Sequence, residues 1–482
     1  MKQNSFYITT TLPYVNAPLH LGHALEFVRA DVIARYKKIS GLDVYFNTGT
    51  DEHGMKIFEK AQGLGLSPQE FVDKSFADFK KSVKIFGLDE TILHFIRTTD
   101  DNHIQAAQEF WQRCDRNGYI YKKNYQAKYC VGCELEKTDS ELNEKGECLL
   151  HPGRPLELIN EENYFFKFSA FQKPLLDFYK KNSNFVIPDF RFNEIRAFVE
   201  RGLHDFSISR LKTKMPWGIP VPENEEQVMY VWFDALVNYI STLGWPDEKG
   251  NFKKYWLNGT PTQYCGKDNL RQQTAMWQAM LLAAEIPNSH QIIIDGFITG
   301  EGGVKMSKTL NNVVDPKEIV GNYGTDALRY FLLREVASFE DSPFTMERFK
   351  EAYNSGLANG LGNLTSRILT LSEKYLEKCP EISEKSVPQE FFDHLEKFEI
   401  QKATEYVWRK IQELDKVIQE TEPFKVVKVD AEKGRELISE NILKLYEISQ
   451  MLVPLLPETS QKIQQLIKEN KKPEQPLFLR KE

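Results

Sequence analysis

The first fifty residues alternate between strand-like and helix-like hydrophobic patterns. The aromatic and β-branched run 6–10 predicts a short buried strand, followed by a proline-containing turn. From His20 onward, apolar residues recur at spacings of three and four up to Tyr36, which predicts a helix that Gly41 ends. The run 43–47 predicts a second strand. This βαβ order favours a parallel sheet with a right-handed crossover.

The pattern changes along the rest of the chain. Between Asn117 and Pro222, turn-rich stretches surround short β-like runs such as 164–168 and a cysteine cluster, which indicates an insertion. The α/β pattern resumes at 228–233, and 291–294 predicts another buried strand. Beyond Met346 the pattern is helical to the end. We therefore predict an α/β parallel-sheet domain that carries an insertion and is followed by an all-α bundle.

Composition narrows the class of protein. The 482 residues allow roughly three domains, and 41% hydrophobic residues support packed cores. No run approaches the ~18 consecutive apolar residues of a membrane span, and the first residues lack the apolar core of a secretory signal. We expect a cytoplasmic protein with no membrane contact. Because the net charge is −7, any RNA contact must use local basic patches.

The segment His20-Leu21-Gly22-His23 stands at the predicted start of the first helix. Two imidazoles at i and i+3 lie on one helix face, and Gly22 leaves room for a ligand to approach the backbone. Backbone N–H groups and the helix dipole favour an anion at this end. The alternative is a pair of ordinary surface histidines, so the segment by itself does not decide the question.

A second segment, Lys305-Met306-Ser307-Lys308-Thr309, follows three glycines within a predicted loop. Two lysines three positions apart can clamp a polyphosphate on a mobile loop, although a solvated basic loop would have the same composition. The joint occurrence of the histidine and lysine segments on an α/β pattern favours the phosphate-binding interpretation for both. Together they predict adenylyl transfer from ATP.

Two short-spaced ligand pairs predict a metal site in the insertion. Cys130 and Cys133 form a CxxC pair, and Cys148 and His151 follow 14 residues later as CxxH. Thiolates and imidazole in such pairs suit one tetrahedral Zn²⁺, and four protein ligands leave no open position, so we expect a structural zinc. Buried free cysteines are the alternative, which we expect for Cys114, Cys265 and Cys379.

Several motifs resemble those of the methionyl-tRNA synthetases within the class I aminoacyl-tRNA synthetases, over essentially the whole chain. They are the histidine and lysine segments, the CxxC…CxxH pattern, 11–16 (TLPYVN), 49–54 (GTDEHG), 230–235 (YVWFDA) and 266–268 (GKD). The resemblance implies two-step chemistry. Methionine attacks the α-phosphate of ATP to give methionyl-adenylate and pyrophosphate, and the methionyl group then passes to the 3′ end of tRNA(Met), with Mg²⁺ expected on the phosphates.

The resemblance also implies roles for individual residues. Catalytic roles fall to His20, His23, Lys305 and Lys308, which with Gly22 and Asp268 would bind ATP. Asp51 would pair with the methionine ammonium group, and the methionine pocket would further contain Leu12, Tyr14, Trp232, Ala235, Tyr239 and Gln273. Anticodon contacts would come from Asn363, Arg367 and Phe424, although Arg367 could equally form a helix-surface salt bridge.

The implied architecture is a Rossmann-like parallel-sheet catalytic domain with a zinc-knuckle insertion and an all-α anticodon-binding bundle. The expected segments are the first catalytic half 1–116, the insertion 117–222, the second catalytic half 223–295, the lysine loop with a stem-contact region 296–345, and the anticodon-binding domain 346–482. Because no appended C-terminal domain follows, we expect a monomer.

Four positions depart from the family pattern, one of them Asn311 after the lysine segment, where glycine is usual. Gln273 stands where many relatives have histidine, and Phe206 and Phe424 stand where tryptophan is common; a phenyl ring stacks on a base with less overlap. A cysteinyl-tRNA synthetase is the nearest rival, but its cysteine at the first strand end is replaced here by threonines at 9–11. A tRNA-binding paralogue without catalysis and a small-metabolite adenylyltransferase are further alternatives.

Overall fold

The computed structural model describes residues 4–132, 135–137, 141–303, 314–382 and 387–482. The chain forms two compact units, each assembled from separated segments. The first, here the sheet unit, comprises Met1–Pro18, Tyr45–Lys80 and Ile92–Ile294. The second, here the helical unit, comprises Leu19–Val44, Lys81–Thr91 and Asp295–Glu482. The five domains expected from the sequence are consecutive segments of the chain, whereas each of these units combines separated segments. The five-domain division remains a prediction.

Strands concentrate in the first three hundred residues. In chain order they are β1 (Ser5–Thr10), β2 (Asp43–Thr50), β3 (Leu93–Arg97), β4 (Ile120–Cys130), β5 (Leu135–Lys137), β6 (Glu157–Phe166), β7 (Val186–Ile187), β8 (Phe206–Ser207), β9 (Ser209–Leu211), β10 (Pro220–Val221), β11 (Asn224–Met229), β12 (Thr260–Gly266), β13 (Gln291–Asp295), β14 (Ile298–Thr299) and β15 (Ser342–Pro343).

Helices connect these strands and make up most of the chain beyond them. They are α1 (Leu21–Ile39), α2 (Met55–Gly63), α3 (Pro68–Lys84), α4 (Asp101–Arg116), α5 (Gln172–Lys181), α6 (Asp189–Glu200), α7 (Val231–Ala235), α8 (Asn238–Ser241), α9 (Trp277–Ala283), α10 (Pro316–Tyr323), α11 (Thr325–Tyr330), α12 (Met346–Ala352), α13 (Asn363–Tyr375), α14 (Gln389–Glu396), α15 (Ile400–Thr421), α16 (Pro423–Val429), α17 (Ala431–Leu455) and α18 (Pro457–Glu469).

The sheet unit is built on a central sheet with the strand order β3-β2-β1-β12-β13-β7 in the described part of the chain. β1 pairs with β12, β2 with β3 and β13 with β7, all in parallel. Every residue of β1 is buried, as in a parallel sheet covered on both faces. Its buried threonines are satisfied by neighbours: Asn47 donates to Thr9 (3.1 Å), and the Thr10 and Thr48 hydroxyls bond at 2.8 Å.

These elements test the sequence predictions. The two N-terminal strands, the helix after His20 and the strand at 291–294 are confirmed. The run 228–233 is different, because β11 ends at Met229 and lies in an antiparallel sheet with β9 and β10, while α7 begins at Val231. A continuous apolar run cannot by periodicity distinguish a buried strand from a buried helical turn.

The predicted insertion forms a separate antiparallel sheet and also contributes one strand to the central sheet. β4, β5, β6 and β8 form an antiparallel sheet, in which β4 pairs with β6 over ten residue pairs. β7 leaves this layer and pairs with β13 in parallel, with Val186 opposite Ile292. The sequence pattern does not show this edge strand, since two residues are too few for a periodicity.

The helical unit contains the bundle expected beyond Met346. The amphipathic α15 buries one face of aliphatic and aromatic residues against α14 and α17. Glu422 then adopts a left-handed conformation (φ 42°), and Pro423 begins α16, a position where the missing proline N–H costs nothing. Among the described residues, no helix is long and apolar enough to cross a membrane.

Two buried arginines tie α1 to the rest of the helical unit. Arg29 pairs with Asp295 (3.0 Å) and donates to main-chain carbonyls of 332–338. Arg329 pairs with Asp31 (2.9 Å) and donates to the carbonyls of Leu455 (2.8 Å), Pro454, Phe86 and Gly87. Arginine suits this role because its guanidinium offers five donors in a fixed geometry.

We predict that Arg329→Met lowers the free energy of unfolding by about 3–5 kcal/mol, because it leaves the Asp31 carboxylate and several carbonyls poorly compensated. Arg409→Met removes an exposed pair with Glu390 (3.0 Å) and should cost less than about 1 kcal/mol. Chemical denaturation followed by circular dichroism compares the two variants. Equal midpoint shifts would contradict a special contribution from Arg329.

Candidate functional site

The carboxyl ends of β1 and β2 lie at one edge of the central sheet and bring two predicted pocket residues together. Tyr14 and Asp51 form a parallel bridge just beyond the two strands. The Asp51 N–H donates to the Pro13 carbonyl (3.0 Å), and the Val15 N–H donates to the Asp51 carbonyl (3.2 Å). Tyr14 and Asp51 are both half-buried, as is Leu12. In open α/β sheets this edge is where ligands bind.

Three further pocket residues lie on consecutive short helices. Trp232 and Ala235 belong to α7 and Tyr239 to α8; Trp232 is half-buried and the other two are buried. The Tyr7 hydroxyl of β1 donates to the Tyr239 carbonyl at 2.8 Å. This bond fixes α8 against the first strand. The fold therefore places Tyr239 beside the first strand of the central sheet.

A buried carboxylate joins the Asp51 segment to α7. The Asp234 oxygens lie 2.8 Å from His53 Nδ1 and 3.0 Å from His103 Nε2. His103 Nδ1 in turn lies 2.9 Å from the Ser241 hydroxyl of α8. Burial acts to raise the pKa of Asp234, but the two imidazoles outweigh it and hold that pKa below its ordinary value. Asp234 is therefore an anion that orders the elements carrying the predicted pocket residues.

Glu52, which lies between Asp51 and His53, is held by hydrogen bonds of its own. Glu52 accepts hydrogen bonds from Arg97 Nε (2.9 Å) and from the Thr50 hydroxyl (2.6 Å), and its main-chain carbonyl accepts from Trp217 Nε1 (2.7 Å). Glu52 is fully buried. With Glu52 and His53 both fixed, the backbone that carries Asp51 has little freedom, which preorganises the Asp51 carboxylate.

Gln273, one of the departures noted in the sequence, contacts another pocket residue directly. Its Nε2 donates to the Tyr239 hydroxyl at 2.6 Å, and both side chains are buried. Asp268, by contrast, is exposed on a short turn after β12, where its carboxylate accepts from Asn269 (3.2 Å). It lies at the carboxyl end of a strand parallel to β1, and none of the described contacts joins it to the pocket residues.

The two histidines of the HLGH segment lie in the helical unit, at the start of α1. His20 is the N-cap; its Nδ1 accepts from the Gly22 N–H (3.1 Å), and His23 Nδ1 accepts from the His20 N–H (3.2 Å). The ring centroids are 3.9 Å apart. Because each Nδ1 is an acceptor, each neutral ring carries its proton on Nε2. The pair therefore presents two N–H donors beside a helix N-terminus.

Gly22 is required by this arrangement. A Cβ at position 22 would lie 2.9 Å from His20 Cε1 and 3.0 Å from its Nδ1, so any larger residue would displace the His20 ring. Lys305 and Lys308 lie outside the described residues.

Three of the four predicted metal ligands converge. The ligand atoms of Cys130, Cys148 and His151 all lie within 4.8 Å of one another, and Cys130 Sγ is 3.8 Å from His151 Nδ1. A Cβ on Gly132 would lie 2.5 Å from His151 Cγ, so glycine allows the imidazole to approach. Cys133 lies outside the described residues. Of the remaining cysteines, Cys114 and Cys265 are buried as expected, whereas Cys379 is only half-buried.

The predicted anticodon residues lie in the helical unit. Asn363 and Arg367 occupy the same face of α13; Asn363 is exposed, whereas Arg367 forms an ion pair with Asp415 of α15. The salt-bridge alternative noted for Arg367 is therefore present. Phe424 is 38% exposed on α16, and the Lys425 ammonium lies 5.9 Å from its ring centroid. An exposed aromatic ring beside a cation is suited to stacking on a base.

Sequence reasoning missed the residues that support the pocket. Glu52 and His53 lie within the motif 49–54, and Asp234 lies within the motif 230–235. Because these residues are close in sequence to Asp51 and Trp232, a supporting role for them could have been predicted. His103 on α4 had no local signal, because its partner Asp234 is distant in the chain. Such contacts require the tertiary fold.

Comparison with known proteins places the chain among aminoacyl-tRNA synthetases. The family model described as tRNA synthetases class I (M) matches residues 6–369. A methionine–tRNA ligase of Caldanaerobacter subterraneus is 40% identical over 96% of this chain and 73% of the relative. A methionine–tRNA ligase of Rickettsia felis is 38% identical over 96% of this chain and 91% of the relative.

Solved structures give the same result. A Mycobacterium tuberculosis methionyl-tRNA synthetase in complex with methionyl-adenylate superposes with a TM-score of 0.89 and 33% identity, over 96% of this chain and 93% of that chain. The apo form of the M. tuberculosis protein has a TM-score of 0.84 and 30% identity, over 100% of this chain and 99% of that chain. The similarity thus extends through both units.

We predict that His23 stays neutral well below pH 6.5. Burial lowers the pKa of its imidazole, and the adjacent His20 lowers that pKa further. Unfolding restores a pKa of about 6.5, so His23 should reduce the free energy of unfolding as the pH falls below that value. NMR titration of ¹³C-labelled histidine measures the pKa directly, and His20→Ala should raise it. A His23 pKa at or above 6.5 would contradict the prediction.

Proposed function

The chain belongs to the class I tRNA synthetase (M) family, and from that premise we propose that it is a methionine–tRNA ligase. The enzyme activates L-methionine with ATP and transfers the methionyl group to the 3′ end of tRNA(Met). The observation that carries the proposal is the Tyr14–Asp51 bridge at the carboxyl edge of the central sheet. It brings the backbone of Asp51, from a segment held by buried ion pairs, alongside the backbone of the aromatic residue Tyr14.

In the first step, a carboxylate oxygen of methionine attacks the α-phosphorus of ATP, and the bond to the leaving pyrophosphate breaks. The Asp51 carboxylate would hold the methionine ammonium by a charge-assisted hydrogen bond, which orients the attacking group. The Nε2–H groups of His20 and His23 would donate to phosphate oxygens on which charge develops. Lys305 and Lys308 would bind the triphosphate, and Asp268 the ribose.

In the second step, a terminal ribose hydroxyl of the tRNA attacks the methionyl carbonyl carbon, and AMP leaves. Neither step forms a covalent bond to the protein, so the protein contributes positioning and charge stabilisation. Mg²⁺ on the ATP phosphates would neutralise part of their charge. The methionine side chain would occupy the pocket of Leu12, Tyr14, Trp232, Ala235, Tyr239 and Gln273, whose aromatic walls suit a polarizable sulfur atom.

The helical unit would recognise tRNA(Met). Asn363 and Arg367 share one face of α13, where amide and guanidinium groups can bind the edges of unstacked bases. Phe424 would stack on a base. The ion pair with Asp415 would then hold the Arg367 guanidinium in place. We also propose that the protein is a monomer. Analytical ultracentrifugation measures its molar mass in solution.

The cysteine cluster would hold one structural Zn²⁺ through Cys130, Cys133, Cys148 and His151. Typical Zn–S and Zn–N bonds of about 2.3 and 2.05 Å at a tetrahedral angle separate the ligand atoms by about 3.6 Å. The Cys130 Sγ to His151 Nδ1 distance of 3.8 Å is close to this value. Two cysteine side chains that are buried and near one another also fit a metal, because the cation would compensate the charge of the thiolates that bind it.

We expect ATP–pyrophosphate exchange with methionine and none with cysteine, leucine or isoleucine. His23→Ala should cost about 2–4 kcal/mol of transition-state stabilisation and leave methionine binding little changed. His204→Ala, which removes an exposed histidine, is the control. Exchange with cysteine would assign the chain to the rival specificity, and no exchange with any amino acid would favour a tRNA-binding protein without catalysis.

We expect one zinc per chain, lost in the Cys130→Ser, Cys148→Ser double variant and retained in Cys379→Ser. Elemental analysis of purified protein gives the stoichiometry. Removal of zinc by a chelator should increase hydrogen exchange around β4, β5 and β6 while the central sheet, including β7, stays protected, because the ligands close loops beside β4 and β6. Unchanged zinc content in the double variant would contradict the ligand set.

A further inference from the structure

A continuous chain of hydrogen bonds between neutral side chains leads from the main chain to the Tyr239 hydroxyl. The Ser289 N–H donates to Gln278 Oε1 (3.1 Å), and Gln278 Nε2 donates to the Ser289 hydroxyl (3.1 Å). That hydroxyl donates to Gln263 Oε1 (2.6 Å), and Gln263 Nε2 donates to Gln273 Oε1 (3.0 Å). Gln273 Nε2 then donates to Tyr239 (2.6 Å). All five side chains are buried.

Two main-chain groups fix the direction of this chain. A backbone N–H can only donate, so the Ser289 N–H requires oxygen at the facing Gln278 atom. A backbone carbonyl can only accept, and Gln278 Nε2 donates to the Gln273 carbonyl at 2.8 Å. The Gln278 amide therefore has one orientation. The Ser289 hydroxyl, which accepts from Gln278, donates to Gln263 Oε1, and Gln263 Nε2 in turn faces Gln273 Oε1, so Gln273 presents its NH₂ group to Tyr239.

The direction has a consequence for the proposed methionine pocket. Since the Tyr239 oxygen accepts from Gln273, the Tyr239 proton points away from Gln273. Successive bonds with one direction polarise one another, which strengthens the Tyr239 O–H as a donor. A thioether sulfur is a weak acceptor, whereas a methylene group accepts nothing. A donor of fixed direction thus favours a thioether over an isosteric alkyl side chain.

We propose that Gln263, Gln278 and Ser289 are positioning residues that set the donor direction of Tyr239 and thereby the selectivity for a thioether over an alkyl side chain. The proposal rests on the proposed function, which supplies methionine as the substrate. The chain consists of amides and hydroxyls, which do not titrate near neutral pH. The direction is therefore set by geometry and does not depend on a protonation state.

The test is Ser289→Ala, which removes the hydroxyl that orients Gln263. We measure kcat/KM in ATP–pyrophosphate exchange for methionine and for norleucine, the analogue in which a methylene replaces the sulfur. The ratio of the two values should fall by about tenfold, the size expected for one misdirected hydrogen bond. General damage to the enzyme cancels in this ratio, so a merely structural role would leave it unchanged. The change should appear mainly in KM for the amino acid, not in KM for ATP.

Matched variants complete the design. Ser289→Thr keeps a hydroxyl and should restore the ratio, whereas Ser460→Ala removes an equally buried hydroxyl that donates to the Ser449 carbonyl in the helical unit and should leave it unchanged. An unaltered ratio in Ser289→Ala overturns the inference while the proposed function stands. Absence of methionine-dependent exchange in the parent protein overturns the proposed function itself.

Discussion

The elements that carry the proposed pocket residues depend on one buried anion, the Asp234 carboxylate. Placed in the protein interior without water, a carboxylate is costly unless its oxygens are compensated. His53 and His103 supply that compensation from two separate parts of the chain. Because Asp234 lies on α7, its bonds fix the helix that carries Trp232 and Ala235. The same bonds hold the segment after β2. That segment contains Asp51, whose carboxylate is proposed to bind the substrate.

The helical unit also contains buried charges, which here are cations. Arg29 and Arg329 are fully buried, and each compensates its charge with one carboxylate and several carbonyl oxygens. Both act on α1, Arg29 directly and Arg329 through Asp31. The N-terminus of α1 carries His20 and His23, so the helix that presents the two Nε2–H donors is fixed along its length by ion pairs. Charge burial thus stabilises the elements on which the proposed chemistry relies.

Gln273 illustrates how a network of neutral side chains can fix the direction of a hydrogen bond without a titratable group. A histidine can change its tautomer and charge near neutral pH, so its role as donor or acceptor varies. Gln273 cannot titrate, but its side-chain amide can rotate by 180° and so exchange the positions of its NH₂ donor and its oxygen acceptor. The anchored chain through Gln263, Ser289 and Gln278 removes that ambiguity. Position 273 therefore has to be considered with its neighbours.

Periodicity and motif spacing in the sequence determined the fold class, the helix after His20, the strands at the start of the central sheet and the bundle beyond Met346. Local chemistry also identified the imidazole pair and three converging metal ligands, because those residues are close in the chain. The tertiary structure decided which distant residues meet. His103 with Asp234, Gln263 with Ser289, and β7 with β13 have no local pattern, since only folding brings their segments together.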